Sequence, residues 1–326
     1  MYGYEIFHEE LMNNLINSVH SGQSSHAYIF EGKKELGTLE SARLFAAALT
    51  CSNREIAPCG SCRSCTLSKA NTNPDIIYVR PKKDKKSIGA DDMRELEDDV
   101  AIKPFNCAYK VYIIENGELL TEQAQNTFLK TFEEPPEYAV FILLIEKSAL
   151  LLPTVLSRFT MVHFNEVSDD IVEKYILNKY PNESERLPFL VKYCGGVPEI
   201  ADIIINDENF DSLRNGALEK LFALISSNKL SSFSVQKYLD ENKEKADIIL
   251  DFWLSFLRDI ILIQTGASET IINIDKKDSL MRAAANISPS NAVRISDKLI
   301  TAQKMLSRYV NIKAVSMWLG LNSTQI

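Results

Sequence analysis

The stretch Ala27-Tyr28-Ile29-Phe30-Glu31-Gly32-Lys33-Lys34-Glu35-Leu36-Gly37-Thr38-Leu39 decides how the first half of this chain is read. It opens as a short apolar strand, passes through two glycines, and runs from Thr38 into a helical pattern that ends near Leu49. Strand, glycine loop and helix in that order form the setting of a phosphate-binding loop, G-x-x-x-x-G-K-[ST]. Gly32 and Gly37 keep the four-residue gap. Thr38 stands where the phosphate-binding lysine belongs, and Leu39 where the hydroxyl that holds Mg²⁺ belongs. Glu35 adds a negative charge to the cradle, and Lys33 and Lys34 lie on the wrong part of the loop to compensate. A glycine pair alone is a weak signal, and a chance pairing in a fold that never held nucleotide stays open at this point.

Four more apolar runs follow: Ile76–Arg80, Lys110–Glu115, Ala139–Ile145 and Met161–Phe164. Their length and continuity suit strands buried on both faces. Helical patterns at Asp91–Val100 and Thr121–Phe132 separate them. Strands alternating with helices predict parallel βαβ units and an α/β domain ending near residue 165. Val111-Tyr112-Ile113-Ile114 runs into Glu115-Asn116. A strand of this kind in an ATPase ends in Asp-Glu; Glu115 could still approach a metal, whereas Asn116 cannot polarise an attacking water.

Beyond residue 165 the pattern turns helical throughout. Ser168-Asp169-Asp170 reads as a helix start. Asp207-Glu208-Asn209 is a polar break, and a larger helical region follows it. In Asp247–Asp259 the polar residues 247, 251, 255, 258 and 259 form one stripe at helical spacing, opposite a face carrying Trp253. No internal repeat is visible.

A chain of 326 residues predicts about two domains. Lys and Arg number 36 against 44 Asp and Glu, a net charge of −8, so any contact with nucleic acid is confined to a local patch or made through partners. The strongest basic run, Arg80-Pro81-Lys82-Lys83-Asp84-Lys85-Lys86, reads first as a solvated loop. Met1–Leu11 carries three glutamates and no apolar leader core, and the apolar stretch Ile248–Ile263 is broken by charges. The expected location is the cytoplasm, where thiols stay reduced. Cys51, Cys59, Cys62 and Cys65 form C-x7-C-x2-C-x2-C. Four thiolates with two-residue gaps suit a closed, structural zinc site. Cys107 and Cys194 stand apart and read as ordinary thiols.

These segments together resemble a known family, the delta-prime subunits of the bacterial DNA polymerase III clamp loader, within the AAA+ superfamily. The resemblance is carried by His26-Ala27-Tyr28-Ile29-Phe30, by the cysteine cluster, by Gln125-Asn126-Thr127-Phe128-Leu129-Lys130-Thr131-Phe132-Glu133-Glu134-Pro135-Pro136 and by Leu151-Leu152-Pro153-Thr154-Val155-Leu156-Ser157-Arg158. Gly195-Gly196-Val197-Pro198, Arg258-Asp259 and Val310-Asn311 extend it towards the C-terminus. It implies a RecA-like AAA+ module over 1–165 with a zinc-binding insertion at 51–65, a helical lid over 166–207 and a helical collar over 208–326 that joins the subunits. It implies partners as well: gamma/tau and delta subunits, and through the complex the sliding clamp and primer–template DNA.

The resemblance also implies that Arg158 is an arginine finger reaching a neighbour's ATP, with Ser157 supporting it. An arginine capping a helix C-terminus is the plainer reading of the same residue. Phe159 departs from the family's usual Cys and leaves the start of the next strand uncertain. Gamma/tau ATPases share the cysteine cluster and the Ser-Arg pair, so an active motor of that kind is the alternative. Thr38, Leu39 and Asn116 favour the silent subunit, as does the lack of an ATP-sensing Arg at Glu199 or Ile200. On that reading no ATP is bound, and the loop at Gly32, Gly37, Thr38 and Leu39 is degenerate. A zinc-stabilised nucleic-acid-binding module without such partners is a further alternative, which the −8 charge disfavours.

Overall fold

The computed structural model describes residues 6–82, 85, 87–225 and 229–323. They divide into two units: residues 1–168 with Val197–Glu199, and residues 169–196 with 200–326. The first unit holds all five strands, β1 (Ala27–Glu31), β2 (Ile76–Val79), β3 (Lys110–Ile114), β4 (Ala139–Ile145) and β5 (Thr160–His163). They form one parallel sheet in the order β2-β3-β4-β1-β5. The strands predicted from apolar runs are all present, with ends shifted by at most a residue or so. β3 and β4 are buried along their whole length, as their unbroken apolar sequences require, while β5 is a half-exposed edge.

Aromatic packing fixes the helix Glu122–Glu133 to this sheet. Phe128 and Phe132 meet Phe141 of β4 edge to face at centroid distances of 5.3 and 5.4 Å, and Phe141 stacks on Tyr112 at 5.2 Å. Thr121 caps the helix by accepting the Ala124 amide, and the helix stops before Pro135, which disfavours helix in the preceding residue. Phe159 lies just before β5 and packs on Phe132 at 4.6 Å. A bulky apolar residue in that place therefore extends the core without displacing the strand, which begins at Thr160.

The second unit is helical among its described residues. The polar break at 207–209 separates the helices Ile200–Asn206 and Phe210–Ile225. Asn311 accepts the Lys313 amide at the start of the helix Ile312–Ser323. The polar stripe expected on Asp247–Asp259 needs correction at its end. Asp259 is fully buried. Its carboxylate accepts the backbone amides of Ile272 and Asn273 at 3.1 and 2.7 Å, and the Asn273 side chain at 2.8 Å. Ser255 receives the same Asn273 amide group. The stripe thus folds a loop onto the helix instead of facing water.

Arg214 joins this network from a neighbouring helix. It is buried, bidentate to Asp275 at 2.7 and 2.8 Å, and bonded to the Asn273 side-chain carbonyl oxygen at 2.7 Å. Its guanidinium also lies 3.8 Å from the centre of the Phe189 ring, a cation–π contact in a dry setting. Among the described residues no helix is long and apolar enough to cross a membrane.

Asp259→Ala leaves the backbone amides of Ile272 and Asn273 without their acceptor and removes one of the two acceptors of the Asn273 side-chain amide. We expect a loss of about 3 kcal/mol, since each orphaned buried donor costs about 1–3 kcal/mol. The denaturation midpoint of this unit, read by tryptophan emission, tests this, because Trp253 and Trp318 both lie in it.

Candidate functional site

In a parallel sheet the ligand-binding edge is the one where strands run out into helices. The loop after β1 lies there, and both of its glycines answer to the backbone. A Cβ on Gly32 would come within 2.6 Å of the Phe164 carbonyl oxygen, because the chain leaving β5 crosses directly against it. Gly37 sits at φ +72°, a left-handed conformation at the entry to the helix Thr38–Leu49. Neither glycine needs a phosphate to explain it. Lys34–Leu36 closes into a 3₁₀ turn, in which the Leu36 amide donates to Lys33 and the Gly37 amide to Lys34. A phosphate cradle depends on free loop amides, and these two are spent within the loop. Leu36 and Thr38 are buried, so the Thr38 side chain does not stand out where a lysine would reach a phosphate.

At the end of β3, Glu115 is held by Arg80 in an ion pair of 2.5 Å, and Asn116 turns left-handed at φ +52°. Register pairing of Val79 with Ile114 puts Arg80 and Glu115 side by side at the strand ends. The guanidiniums of Arg80 and Arg43 both lie over the Tyr78 ring, at 5.5 and 5.7 Å. The carboxylate that could have approached a metal is therefore neutralised by a protein cation. Other cations of the 80–86 run are also committed: Lys82 pairs with Asp92 and Glu95, and Lys85 lies 3.6 Å from Asp92. Lys83, Asp84 and Lys86 lie outside the described residues.

Arg158 follows the short helix Pro153–Leu156, which begins with proline at its first turn. One guanidinium nitrogen, Nη1, donates to the Thr154 carbonyl at 2.6 Å and to Ser157 Oγ at 3.3 Å; Nη2 pairs with Glu133. Ser157 Oγ donates in turn to the Thr154 carbonyl at 3.1 Å. The guanidinium is partly exposed. The segment that carries it is pinned by Gln125, which is buried. Its side-chain carbonyl oxygen accepts the Leu152 amide at 2.8 Å and its amide donates to the Leu120 carbonyl at 3.2 Å. From sequence, Glu133 reads only as part of a helix stop and Gln125 has no assigned task. The signal available is their placement on one helix, about two turns apart.

The four cysteines converge. Their sulfurs all lie within 4.8 Å of one another. The 51–62 and 59–65 pairs are 4.0 and 3.9 Å apart. A tetrahedron of Zn–S bonds near 2.3 Å places sulfurs about 3.8 Å apart. Backbone amides of Cys59, Cys62 and Cys65 donate to the sulfurs of Cys51, Cys59 and Cys62 at 3.4–3.5 Å. Burial pushes the Cys62 thiol up, but hydrogen bonds from Ser52 and Cys65 outweigh it and bring it down to about 6. Donor type and spacing fit one tetrahedral ion such as zinc, and all four positions are filled by protein. Cys107 and Cys194 are raised by burial to about 11 and 12, as inert thiols are.

A five-stranded parallel sheet in this order, with a glycine loop after β1 and a helical unit following in the chain, is the arrangement of an AAA+ type of nucleotide-binding fold, here with Thr38 and Leu39 where a phosphate-binding loop carries its lysine and hydroxyl. Sequence comparison narrows the class. The model of the family described as "DNA polymerase III, delta subunit" matches residues 7–168, and that of its C-terminal part matches 208–315. The chain belongs to this DNA polymerase III family. It is 28% identical to DNA polymerase III subunit delta' of Bacillus subtilis, over 94% of this chain and 92% of that one. Against DNA polymerase III subunit tau/gamma of Haemophilus influenzae it is 32% identical, but over 56% of this chain and only 26% of the relative. Among solved structures, a DNA polymerase III gamma-subunit-related protein of Thermotoga maritima aligns over 97% of this chain and 99% of its own, at 19% identity and TM-score 0.42. The chain thus spans nearly all of the delta' relative and about a quarter of the tau/gamma one.

Cys62→Ser removes one of four ligands and leaves the site open. We expect the purified protein to carry one metal ion per chain and the variant to lose most of it, by elemental analysis. Wild-type protein free of metal after chelator-free purification would contradict the site.

Proposed function

We propose that this chain is a non-catalytic delta-prime subunit of a bacterial DNA polymerase III clamp loader, helping to place the sliding clamp on primed DNA. It assembles with gamma/tau and delta subunits in the cytoplasm and meets the clamp and primer–template DNA through the complex. Residues 1–165 act as the AAA+ module, 166–207 as a lid and 208–326 as the collar through which subunits associate. Zinc held by Cys51, Cys59, Cys62 and Cys65 is structural.

On this reading the chain neither binds nor hydrolyses ATP, and it contributes to the neighbour's site through Arg158. A guanidinium placed against a γ-phosphate stabilises the negative charge that develops during transfer. Ser157 and Glu133 hold that guanidinium, and Gln125 holds the segment beneath it. The observation that carries the reading is the self-satisfied loop at Gly32–Leu39, with a buried Thr38 in the lysine position. An active gamma/tau-type ATPase needs a phosphate-binding lysine and a metal-binding hydroxyl at Thr38 and Leu39, and the chain has neither.

Arg158→Ala is expected to fold and assemble normally but to lower the DNA-stimulated ATPase and clamp loading of the reconstituted complex. A sole finger is worth about 10³–10⁵ in rate; the drop here is smaller, because the other ATP sites keep their own. ATPase and loading equal to the wild-type complex would remove Arg158 from the mechanism.

A further inference from the structure

Beside the cysteine cluster lies a cleft of about 600 Å³, lined among others by Arg54, Arg63, Ser64, Asn73, Asn106 and Cys107. Neither the loop after β1 nor Arg158 belongs to it. Arg54 and Arg63 are exposed, and neither pairs with a carboxylate among the described residues. Glu55 is the acidic residue on the lining. On a chain of net charge −8, two arginines without carboxylate partners stand together on this one cleft.

Aromatic rings accompany those charges. The Arg54 guanidinium lies over the Tyr109 ring at 5.3 Å, which orients its N–H groups. Phe105, next to the lining residue Asn106, is 81% exposed. Its backbone is nevertheless pinned. Asp75 is buried, and its carboxylate accepts the amides of Phe105, Asn106 and Cys107 at 2.5, 2.9 and 3.1 Å. A loose loop would let a phenyl ring fold back onto the protein. Here a buried carboxylate spends its hydrogen bonds holding the backbone that presents the ring to water.

We propose that this face binds single-stranded nucleic acid, with Phe105 stacking on an unpaired base and Arg54 and Arg63 contacting the adjoining phosphates. Cations that track a backbone, interleaved with an exposed aromatic platform, are the physical requirements for such binding. A duplex offers phosphates but no free base face, so Phe105 selects for the single strand. The proposal does not depend on the clamp-loader reading: it concerns the isolated full-length chain and other residues.

The test is fluorescence anisotropy of a labelled oligothymidylate of about 16 nucleotides, titrated with the full-length, metal-loaded protein from about 50 mM salt upward. Wild-type protein is expected to bind weakly and to lose affinity with salt. The R54Q/R63Q double variant should bind about tenfold more weakly. Its log–log salt slope should fall by about 1.4, since each phosphate neutralised on a single strand adds about 0.7. Phe105→Ala should weaken binding at least about fivefold, with the slope unchanged. A duplex of the same length should bind less well than the single strand. Metal content equal to wild type confirms that the variants are folded. No binding by wild-type protein, variants that bind as wild type does, or a duplex bound as tightly as the single strand would overturn the proposal.

Discussion

Burial of β3 and β4 on both faces is the constraint on which the arrangement of the first unit depends. A parallel sheet enclosed in this way needs helical crossovers, and those crossovers bring every strand-to-helix loop to one edge. The loop at Gly32–Leu39 and the Glu115-Asn116 step share that edge for this reason. The same packing carries Phe128 and Phe132 against Phe141 and so positions the helix that bears Gln125 and Glu133. Arg158 is placed by that helix: Gln125 fixes the backbone before it, and Glu133 and the Thr154 carbonyl take the guanidinium.

The edge that holds nucleotide in an ATPase has here been given over to internal contacts. Gly32 makes room for the Phe164 carbonyl, the loop amides of Leu36 and Gly37 bond within the loop, and Arg80 takes the carboxylate of Glu115. Each contact is satisfied without a ligand. This explains how the architecture keeps its glycines without a phosphate-binding lysine. Both glycines answer to backbone geometry, and backbone geometry does not depend on the nucleotide.

The strands were legible because buried parallel strands leave unbroken apolar runs, and β1, β3 and β4 read almost residue for residue. The cysteine cluster was legible because four soft ligands at short spacing suit a single tetrahedral ion. Side chains whose task depends on distant partners were not. Gln125 meets Leu152, Asp75 meets the amides of 105–107, and Asp259 meets those of 272 and 273. Helical periodicity placed Asp259 on a polar stripe, and it is indeed on that stripe. What periodicity lacks is whether another segment covers it. Arg214 was invisible for the same reason: a lone arginine in a helix reads as exposed until Asp275 and Phe189 are brought to it.

The central claim is that this chain lends an arginine to a neighbour's ATP and holds none itself. Calorimetric titration of Mg²⁺·ATP into the isolated full-length chain tests it most directly. The account predicts no heat beyond dilution, with the Gly32–Leu39 loop closed on its own hydrogen bonds. Saturable binding followed by release of phosphate would contradict it and would make this chain a motor in its own right.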